Sequence, residues 1–238
     1  MDNAIYAMIT RQSGLMAELQ AVANNVANAN TDGFRSEGVI FSEYVSALGP
    51  DAPSLSMAAA RVRETSFAPG SQGETGGPLD LAIAGEGFFM IATPEGDRLT
   101  RAGQFVQNAA GDVVTVEGHP VLDAGGAPLF IPPGATQIGI APDGTVSVDG
   151  QPVGQVGLFV PADPSGLTRQ DGVKFIAEGG VLPAEGATVA QGFLEGSNVN
   201  AVGEITRLIA VQRAYELGQN LLDREDARIR NVIQTVTR

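Results

Sequence analysis

The residues that could carry chemistry are few. The chain has a single histidine, His119, in the sequence GHPV, and it has no cysteine. A lone histidine in front of a proline is typical of a turn, and no partner pattern of a general base or a metal ligand accompanies it. The glycine-rich segment GEGFFM lacks the third glycine and the following helix of a phosphate-binding loop. These residues indicate neither nucleophilic catalysis nor nucleotide binding.

Carboxylates are abundant, and four of them stand beside glycine or proline: Asp143, Asp149, Asp163 and Asp171. Their spacing does not fit the calcium-binding loop of an EF-hand. Turns account for most of them, since an aspartate side chain can accept hydrogen bonds from its own turn. We therefore predict no catalytic residue, no metal site and no cofactor, and we expect a protein that is not an enzyme.

The two ends of the chain carry the same apolar pattern, in which spacings of three and four residues alternate. This pattern is typical of a helix that packs lengthwise against other helices. It predicts a first helix from about Asn3 to Asn28 and a last helix that starts after Asn200 and ends near Val236. The predicted seam of the first helix consists of Ile5, Met8, Gln12, Leu15, Leu19, Val22 and Val26. The predicted seam of the last helix consists of Ile205, Leu208, Gln212, Tyr215, Gln219, Leu222, Asp226, Ile229, Ile233 and Val236.

The middle of the chain, from Leu79 to about Gln191, has the pattern of β structure. Short apolar runs such as LDLAIA, GFFMIA and VGLFV alternate with turn residues. The clearest signal is TVSVDGQPV, because Asp149-Gly150 between alternating residues is typical of a two-residue hairpin turn. Pro152, shortly after that turn, predicts an edge strand, since proline cannot donate a hydrogen bond to a neighbouring strand.

Together these elements predict an α+β fold. Its long N- and C-terminal helices pack as a coiled-coil stalk, and its central β-rich domain is a barrel or a sandwich. We expect four segments: residues 1–34 form the N-terminal helix, 35–77 an extended connector, 78–193 the central β domain and 194–238 the C-terminal helix. A chain with this organisation is suited to assembly rather than to catalysis.

The net charge of −13 lies almost entirely in the middle of the chain. Residues 36–194 hold eighteen acids and six bases, whereas the two ends are nearly neutral. No basic stripe is present to hold phosphates, so nucleic-acid binding is not expected. No apolar run is long enough to cross a bilayer. The opening MDNAIYAMITRQSG lacks a basic start followed by an apolar block, so we expect no cleaved signal peptide.

Three segments carry a more specific pattern. They are ANNVANANTDGFR at residues 23–35, LDLAIAGEGFFMIATPEGDRLTRAGQF at 79–105 and LEGSNVNAVGEITRLIAVQRAYE at 194–216. In this order they resemble the rod and hook axial proteins of the bacterial flagellum, over essentially the whole chain. The signature residues are Asn24, Asn25, Asn28, Thr31, Gly33, Phe34, Asn198, Gln212, Arg213 and Tyr215. Within the family, the opening residues are most similar to proximal-rod members.

The resemblance implies a structural subunit of the basal-body rod. Both terminal helices would form an inner rod-core domain, and subunits would polymerise through them into the helical drive shaft that transmits torque for motility. Export through the flagellar type III apparatus would replace a signal peptide and deliver the subunit to the periplasm. The implied partners are other rod subunits, proximal and distal, the export apparatus and further copies of the chain. The predicted assembly interface consists of Ile5, Leu15, Leu19, Val22, Val26, Ile205, Leu208, Gln212, Tyr215, Leu222, Ile229 and Ile233.

Two other assignments stay open at this point. The first is a neighbouring member of the same family, either a distal-rod protein or a hook subunit. The second, from another class, is a secreted β-domain protein that binds a ligand and oligomerises through its helices. That assignment predicts a preformed pocket and a signal peptide. A hydrolase on a β scaffold is disfavoured by the residues present.

Overall fold

The fold of the chain is given by a computed structural model. The backbone is described for residues 2–46 and 55–236, and side-chain burial for residues 7–40 and 64–235. Helix α1 spans Asp2–Ala27 and helix α2 spans Ala201–Val236. The strands between them are β1 Glu37–Ser46, β2 Leu55–Thr65, β3 Gln72–Glu74, β4 Leu81–Ala84, β5 Phe88–Thr93, β6 Gly96–Thr100, β7 Phe105–Gln107, β8 Val113–Thr115, β9 Ile138–Ile140, β10 Thr145–Val148, β11 Gln151–Gln155, β12 Leu158–Pro161, β13 Leu167–Asp171, β14 Lys174–Ala177, β15 Val181–Pro183, β16 Thr188–Gln191 and β17 Phe193–Glu195.

The contacts between residues divide the chain into two units. The helical unit comprises Met1–Ala29, Ser36–Phe67 and Val199–Arg238, and the β unit comprises Asn30–Arg35 and Ala68–Asn198. The chain therefore passes from one unit to the other after residues 29, 35, 67 and 198. The four segments expected from the sequence, with bounds at 34, 77 and 193, remain a prediction.

The β unit contains a six-stranded sheet in the order β13-β14-β6-β5-β12-β15 and a three-stranded sheet in the order β11-β10-β9. Two-stranded pairs join β16 to β4, β17 to β3 and β7 to β8. In the larger core, Phe89 and Phe105 make an edge-to-face contact with 5.1 Å between ring centroids. Phe88 directly precedes Phe89 in β5 and points to the opposite face of the sheet, because side chains alternate along a strand. There it belongs to a second core, together with Phe175.

The hairpin predicted at Asp149-Gly150 is confirmed. β10 and β11 pair antiparallel on either side of it, and φ is 49° for Asp149 and 83° for Gly150. Positive φ at both central residues is what a type I′ turn requires. β11, which carries Pro152, forms an edge of its sheet, as the sequence predicted.

In the helical unit, α1 contacts both α2 and the antiparallel β1–β2 pair. Gln12 of α1 bonds to Tyr215 of α2. Asn25, later in α1, bonds to Glu204, earlier in α2. The two helices are therefore antiparallel.

The predicted fold class, with the two helices packed as a coiled-coil stalk, is wrong. Among the described residues, the structure has one long helix at each end and a β-rich centre. α1 divides its contacts between α2 and the β1–β2 pair, whereas a coiled coil would bury a single seam between two helices. On α2, residues 226–235 are all exposed, so the seam does not continue along the helix.

The predicted seam of α2 is also displaced by one residue over much of its length. The exposed seam positions include Ile205, Gln212, Gln219 and Asp226, and the less exposed positions are the residues directly before them, Glu204, Val211, Gly218 and Glu225. The side-chain amide of Asn25 donates to the Glu204 carboxylate at 3.2 Å, which holds that polar side chain on the inner face. The Gln12 side chain fills the space over Gly218. Polar contacts with α1 therefore decide which face of α2 is turned inward.

Candidate functional site

Asn25, a residue of the N-terminal signature, joins three elements of the helical unit. Its side-chain amide donates to the backbone oxygen of Glu37 at 2.8 Å and to Oε2 of Glu204 at 3.2 Å. Its Oδ1 accepts a hydrogen bond from the Glu37 N–H at 2.8 Å. One buried side chain thus connects α1, β1 and α2, because asparagine carries both donors and an acceptor.

Asn24 and Asn28 close the end of α1. The Asn28 N–H donates to the backbone oxygen of Asn24 at 3.1 Å. The Asn28 side-chain amide donates to that oxygen at 2.9 Å and to Oδ1 of Asn24 at 3.0 Å. These bonds satisfy a carbonyl group near the helix end, where intrahelical partners run out. The asparagine-rich signature therefore ends the helix and anchors the start of β1.

The next signature residues, Thr31, Gly33 and Phe34, belong to the β unit. Gly33 has a φ of 72°, and a Cβ atom at this position would lie 2.2 Å from the backbone nitrogen of Ala102. A left-handed residue this close to another backbone has to be glycine. The Gly33 N–H donates to the backbone oxygen of Glu195 at 2.6 Å, which ties this turn to β17.

A buried ionic group, the Glu195 cluster, consists of Arg35, Arg101 and Glu195. Oε1 of Glu195 lies 2.6 Å from Nη2 of Arg35, and Oε2 lies 3.1 Å from Nη1 of Arg101. The side chains of Arg35 and Glu195 are each 1% exposed. Oε1 also accepts a hydrogen bond from the Gly70 N–H at 2.9 Å. Both carboxylate oxygens are thus compensated, as a buried charge requires.

The Glu195 cluster holds two cations and one anion. Arg101 donates further hydrogen bonds to the backbone oxygens of Ile83 at 3.2 Å and Gly85 at 2.7 Å. Burial lowers the pKa of Arg101, and the charge of Glu195 opposes this shift. The Nε atoms of Arg35 and Arg101 are buried and find no hydrogen-bond partner among the described residues. The Glu195 carboxylate therefore supplies the counter-charge that keeps both guanidinium groups buried.

Backbone atoms close the cluster around Ala68. Nη1 of Arg35 donates to the backbone oxygen of Ala68 at 3.0 Å, and Nδ2 of Asn198 donates to the same oxygen at 2.8 Å. The Asn198 N–H donates to the backbone oxygen of Phe34 at 3.3 Å. Arg35, Ala68 and Asn198 are the β-unit residues at three of the four points where the chain changes unit. The signature residue Asn198 thus helps to hold three separate segments of the chain together.

Phe34 is fully buried and stacks on Arg169 of β13. The guanidinium carbon of Arg169 lies 4.6 Å from the ring centroid of Phe34 and 4.7 Å from that of Phe175. Nη2 of Arg169 donates to the backbone oxygen of Arg35 at 2.5 Å. A planar guanidinium can stack on aromatic rings and hydrogen-bond through its edge at the same time. The Phe34-Arg35 dipeptide is therefore anchored from two directions.

Thr31 and its neighbour Asp32 line an open groove of the β unit together with Glu117 and Lys174. Nζ of Lys174 donates to Oε2 of Glu117 at 2.8 Å, and this bond raises the pKa of Lys174. Burial, with a smaller effect from the charge of Asp80, raises the pKa of Asp32. The groove therefore carries charges of both signs.

The remaining C-terminal signature residues, Gln212, Arg213 and Tyr215, lie on α2 and point in different directions. The backbone oxygen of Tyr215 accepts a hydrogen bond from Nε2 of Gln12 at 2.9 Å. A Cβ atom at Gly218 would lie 2.7 Å from Oε1 of Gln12, so the buried Gln12 side chain packs directly over this glycine. Gln212 and Arg213 are exposed. Tyr215 therefore contributes to packing in the helical unit, whereas Gln212 and Arg213 face solvent.

The residues of the predicted assembly interface fall into three groups. Leu15 and Val22 are buried in the helical unit, and Leu19, Val26, Leu208, Tyr215 and Leu222 are partly buried there. Ile205, Gln212, Ile229 and Ile233 are exposed. Ile5 lies in α1, but its side chain is outside the described residues. Their role as an assembly interface stays a prediction.

Sequence reasoning missed Arg35, Arg101, Arg169 and Glu195. A signal was available for two of them, because Arg35 closes the N-terminal signature and Glu195 stands near the start of the C-terminal one with the opposite charge. Arg101 and Arg169 carried no comparable signal, since their partners depend on how the strands pair.

The aspartates beside turns accept local hydrogen bonds. Backbone or side-chain donors lie within 3.0 Å of the carboxylates of Asp143, Asp149 and Asp163, and they lower the pKa of all three. His119 lies 3.4 Å from a carboxylate oxygen of Glu117. Across the described ranges, no group of three potential metal-ligating side chains occurs. Within the same ranges, neither helix has a stretch long and apolar enough to cross a membrane.

Comparison with known families gives matches along most of the chain. Residues 1–35 match the flagella basal body rod protein model. Residues 82–148 match the flagellar hook protein FlgE/F/G D1 domain, and residues 190–235 match the C-terminal model of the flagellar basal body rod FlgEFG proteins. The first match contains Asn25 and Arg35, the second contains Arg101, and the third contains Glu195 and Glu204.

Individual relatives match over nearly their full length. The flagellar basal-body rod protein FlgF of Mesorhizobium japonicum is 43% identical, over 91% of this chain and 90% of the relative. FlgF of Caulobacter vibrioides is 40% identical, over 94% and 93%. The rod protein FlgG of Bacillus subtilis is 30% identical, over 98% of both chains. The chain therefore belongs to the family of bacterial flagellar basal-body rod proteins, as a FlgF-like structural subunit of the rod.

Proposed function

We propose that this subunit joins neighbouring rod subunits, including further copies of itself, through the exposed apolar residues of α2. The subunit reaches the periplasmic part of the basal body through the flagellar type III export apparatus, without a cleaved signal peptide. Its role there is structural rather than catalytic. The polymer that results transmits torque along the rod.

The observation that carries this proposal is the C-terminal end of α2. α2 has 36 residues and α1 has 26. In the antiparallel arrangement, the start of α1 comes to about position 226 of α2, because both helices rise ~1.5 Å per residue. The last turns of α2 thus extend beyond α1, and Ile229, Val232 and Ile233 are 38%, 57% and 56% exposed there.

Further apolar residues are exposed along the part of α2 that does contact α1. They are Val202, Ile205, Ile209, Leu217 and Leu221. Exposed apolar surface on this scale is typical of a protein–protein contact. A neighbouring rod subunit is the partner that fits, because every relative compared above is itself a flagellar basal-body rod protein.

The first experiment removes the gene and examines basal bodies by electron microscopy, with swimming scored in parallel. We expect non-swimming cells whose basal bodies lack the distal rod and hook. Re-expression of the natural sequence restores both. Intact flagella and normal swimming in the deletion strain would contradict the proposal.

A second experiment tests the C-terminal end of α2 directly. The double variant Ile229→Asp with Val232→Asp places two charges on the apolar side of this segment, and we expect it to restore neither rods nor swimming. The control, Asn231→Asp with Gln234→Asp, adds the same charge at exposed polar positions of the same segment and should swim normally. Normal swimming of both double variants would rule out this segment as an interface.

The neighbour can be identified by cross-linking. Because the chain contains no cysteine, Val232→Cys introduces a single thiol. A cross-linker of short reach applied to isolated basal bodies should join this thiol to another rod subunit. Cross-links to the export apparatus alone would contradict assembly through this surface.

A further inference from the structure

We infer that Glu195 couples the docking of two chain segments on the β unit, so that the docking of residues 30–35 and the docking of residues 194–198 strengthen each other. We call them the N-segment and the C-segment. The coupling is a property of the single subunit and does not depend on the assembly proposed above.

The charges of the Glu195 cluster explain why the N-segment needs the C-segment. Among the described residues, Glu195 is the one carboxylate within ion-pair distance of Arg35 and of Arg101. If the C-segment were absent, a docked N-segment would bury the Arg35 guanidinium beside Arg101 without a counter-charge. A buried charge without a partner is strongly unfavourable. The N-segment is therefore stably docked only when Glu195 is in place.

Backbone hydrogen bonds give the C-segment the reciprocal dependence. The Gly33 N–H donates to the backbone oxygen of Glu195, and the Asn198 N–H donates to the backbone oxygen of Phe34. Both bonds are lost when the N-segment leaves. Because coupling between two binding events is reciprocal, the N-segment strengthens the docking of the C-segment by the same factor.

Because of where the two segments lie in the sequence, this coupling makes docking of the N-segment depend on a chain that extends through residue 195. The N-segment begins three residues after the end of α1, and the C-segment ends three residues before the start of α2, so Arg35 and Glu195 are far apart in the sequence. Folding of the β unit thus orders both segments. A chain that lacks residue 195 leaves its N-segment undocked.

Hydrogen exchange of the full chain, read at single amides or short peptides, tests the inference. Two amides report on the segments without bridging them: the Phe34 N–H, which donates to Thr31 within the N-segment, and the Gly196 N–H, which donates to Ser71. In Glu195→Gln we expect both to exchange faster by roughly 5- to 150-fold, the usual range of such coupling. The control Glu185→Gln removes an exposed carboxylate of the same unit, outside the lining of the groove that contains Thr31 and Asp32, and should change neither.

If the amides of the sheet strands also exchange faster in Glu195→Gln, that variant has destabilised the whole β unit. A second variant then decides the question. Arg35→Met leaves Glu195 paired with Arg101 and with the Gly70 N–H, so the sheet should stay protected. Its Gly196 amide does not contact the N-segment, yet we expect it to exchange faster by about the same factor as Phe34. An unchanged Gly196 amide in Arg35→Met would overturn the coupling, as would a protected Phe34 amide in Glu195→Gln.

Discussion

Nη2 of Arg35 lies 2.6 Å from Oε1 of Glu195 in the interior of the β unit, and this ion pair joins the two signatures of the family. Each partner comes from a segment next to one of the terminal helices. The signatures are therefore more than helix ends, because between them they complete the β unit.

Gly33→Ala should destabilise the β unit more than other glycine substitutions. A side chain at φ 72° costs about 1–2 kcal/mol, and the close approach to Ala102 adds about 1–3 kcal/mol. Gly118→Ala is the matched control, since φ is 89° there and a Cβ would meet nothing within 4 Å. Calorimetric unfolding of both variants should give a clearly lower midpoint for Gly33→Ala. Equal midpoints would mean that the contact with Ala102 relaxes freely.

Arg169→Lys should lower the stability of the β unit although it keeps the charge. An ammonium cannot stack as a plane between Phe34 and Phe175, so we expect a loss of about 1–2 kcal/mol. Arg228→Lys, at a surface ion pair of α2, should change stability by less than about 1 kcal/mol. Denaturant unfolding monitored by circular dichroism measures both changes. A neutral Arg169→Lys would show that stacking contributes little here.

The effect of Gly218→Ala on stability should change sign with the residue at position 12. In the natural chain, the added methyl group meets Oε1 of Gln12, and the overpacking cost of about 1–3 kcal/mol exceeds the helix-propensity gain of about 1 kcal/mol. With Gln12→Ala in the same chain, the contact is gone and Gly218→Ala should stabilise α2. Thermal unfolding followed by the helical circular dichroism signal measures the four variants of this cycle.

Gly203→Ala provides the control for this cycle. It also lies in α2, and its Cβ would make only ordinary contacts with Asn200 at 3.4 Å or more. Its effect should therefore be the same with either residue at position 12. If Gly218→Ala behaves in the same way, Gln12 does not require a glycine opposite it.

Asp149 should titrate below the ordinary range of an aspartate. Hydrogen bonds from the Thr136 hydroxyl at 2.5 Å and the Gln137 N–H at 3.0 Å lower its pKa. Because the folded pKa lies below the unfolded value, the resulting stability is present above the unfolded pKa. It is lost as the pH falls through the folded pKa. Carbon-13 titration of the carboxyl group measures this pKa, and Thr136→Val should raise it.

The control for this titration is Thr168→Val in β13, which removes a hydroxyl elsewhere in the β unit. It should leave the pKa of Asp149 where it is. If Thr136→Val also leaves the pKa of Asp149 unchanged, the Thr136 hydroxyl is not the main cause of the lowered pKa.

Local interactions could be predicted from the sequence. The Asp149-Gly150 hairpin depends on the backbone preferences of two adjacent residues, and the start of α1 was predicted within one residue because an apolar period marks it. At alternate positions, the face of α2 that packs on α1 lies one residue before the predicted seam, because a broad apolar stripe leaves the rotation of a helix open by one residue. Contacts from α1 decide it, through the bond from Asn25 to Glu204 and the fit of Gln12 over Gly218.

The family and the helical ends were thus determined by the sequence alone, since signatures and periodicity are properties of neighbouring residues. The Glu195 cluster and the stacking of Arg169 on Phe34 were decided only by the tertiary structure. These contacts join residues that are far apart in the chain, and their charges are compensated only when the strands pair in one register. No local preference of Arg35 or Glu195 contains that information, because burial of each charge is favourable only when its partner is in place.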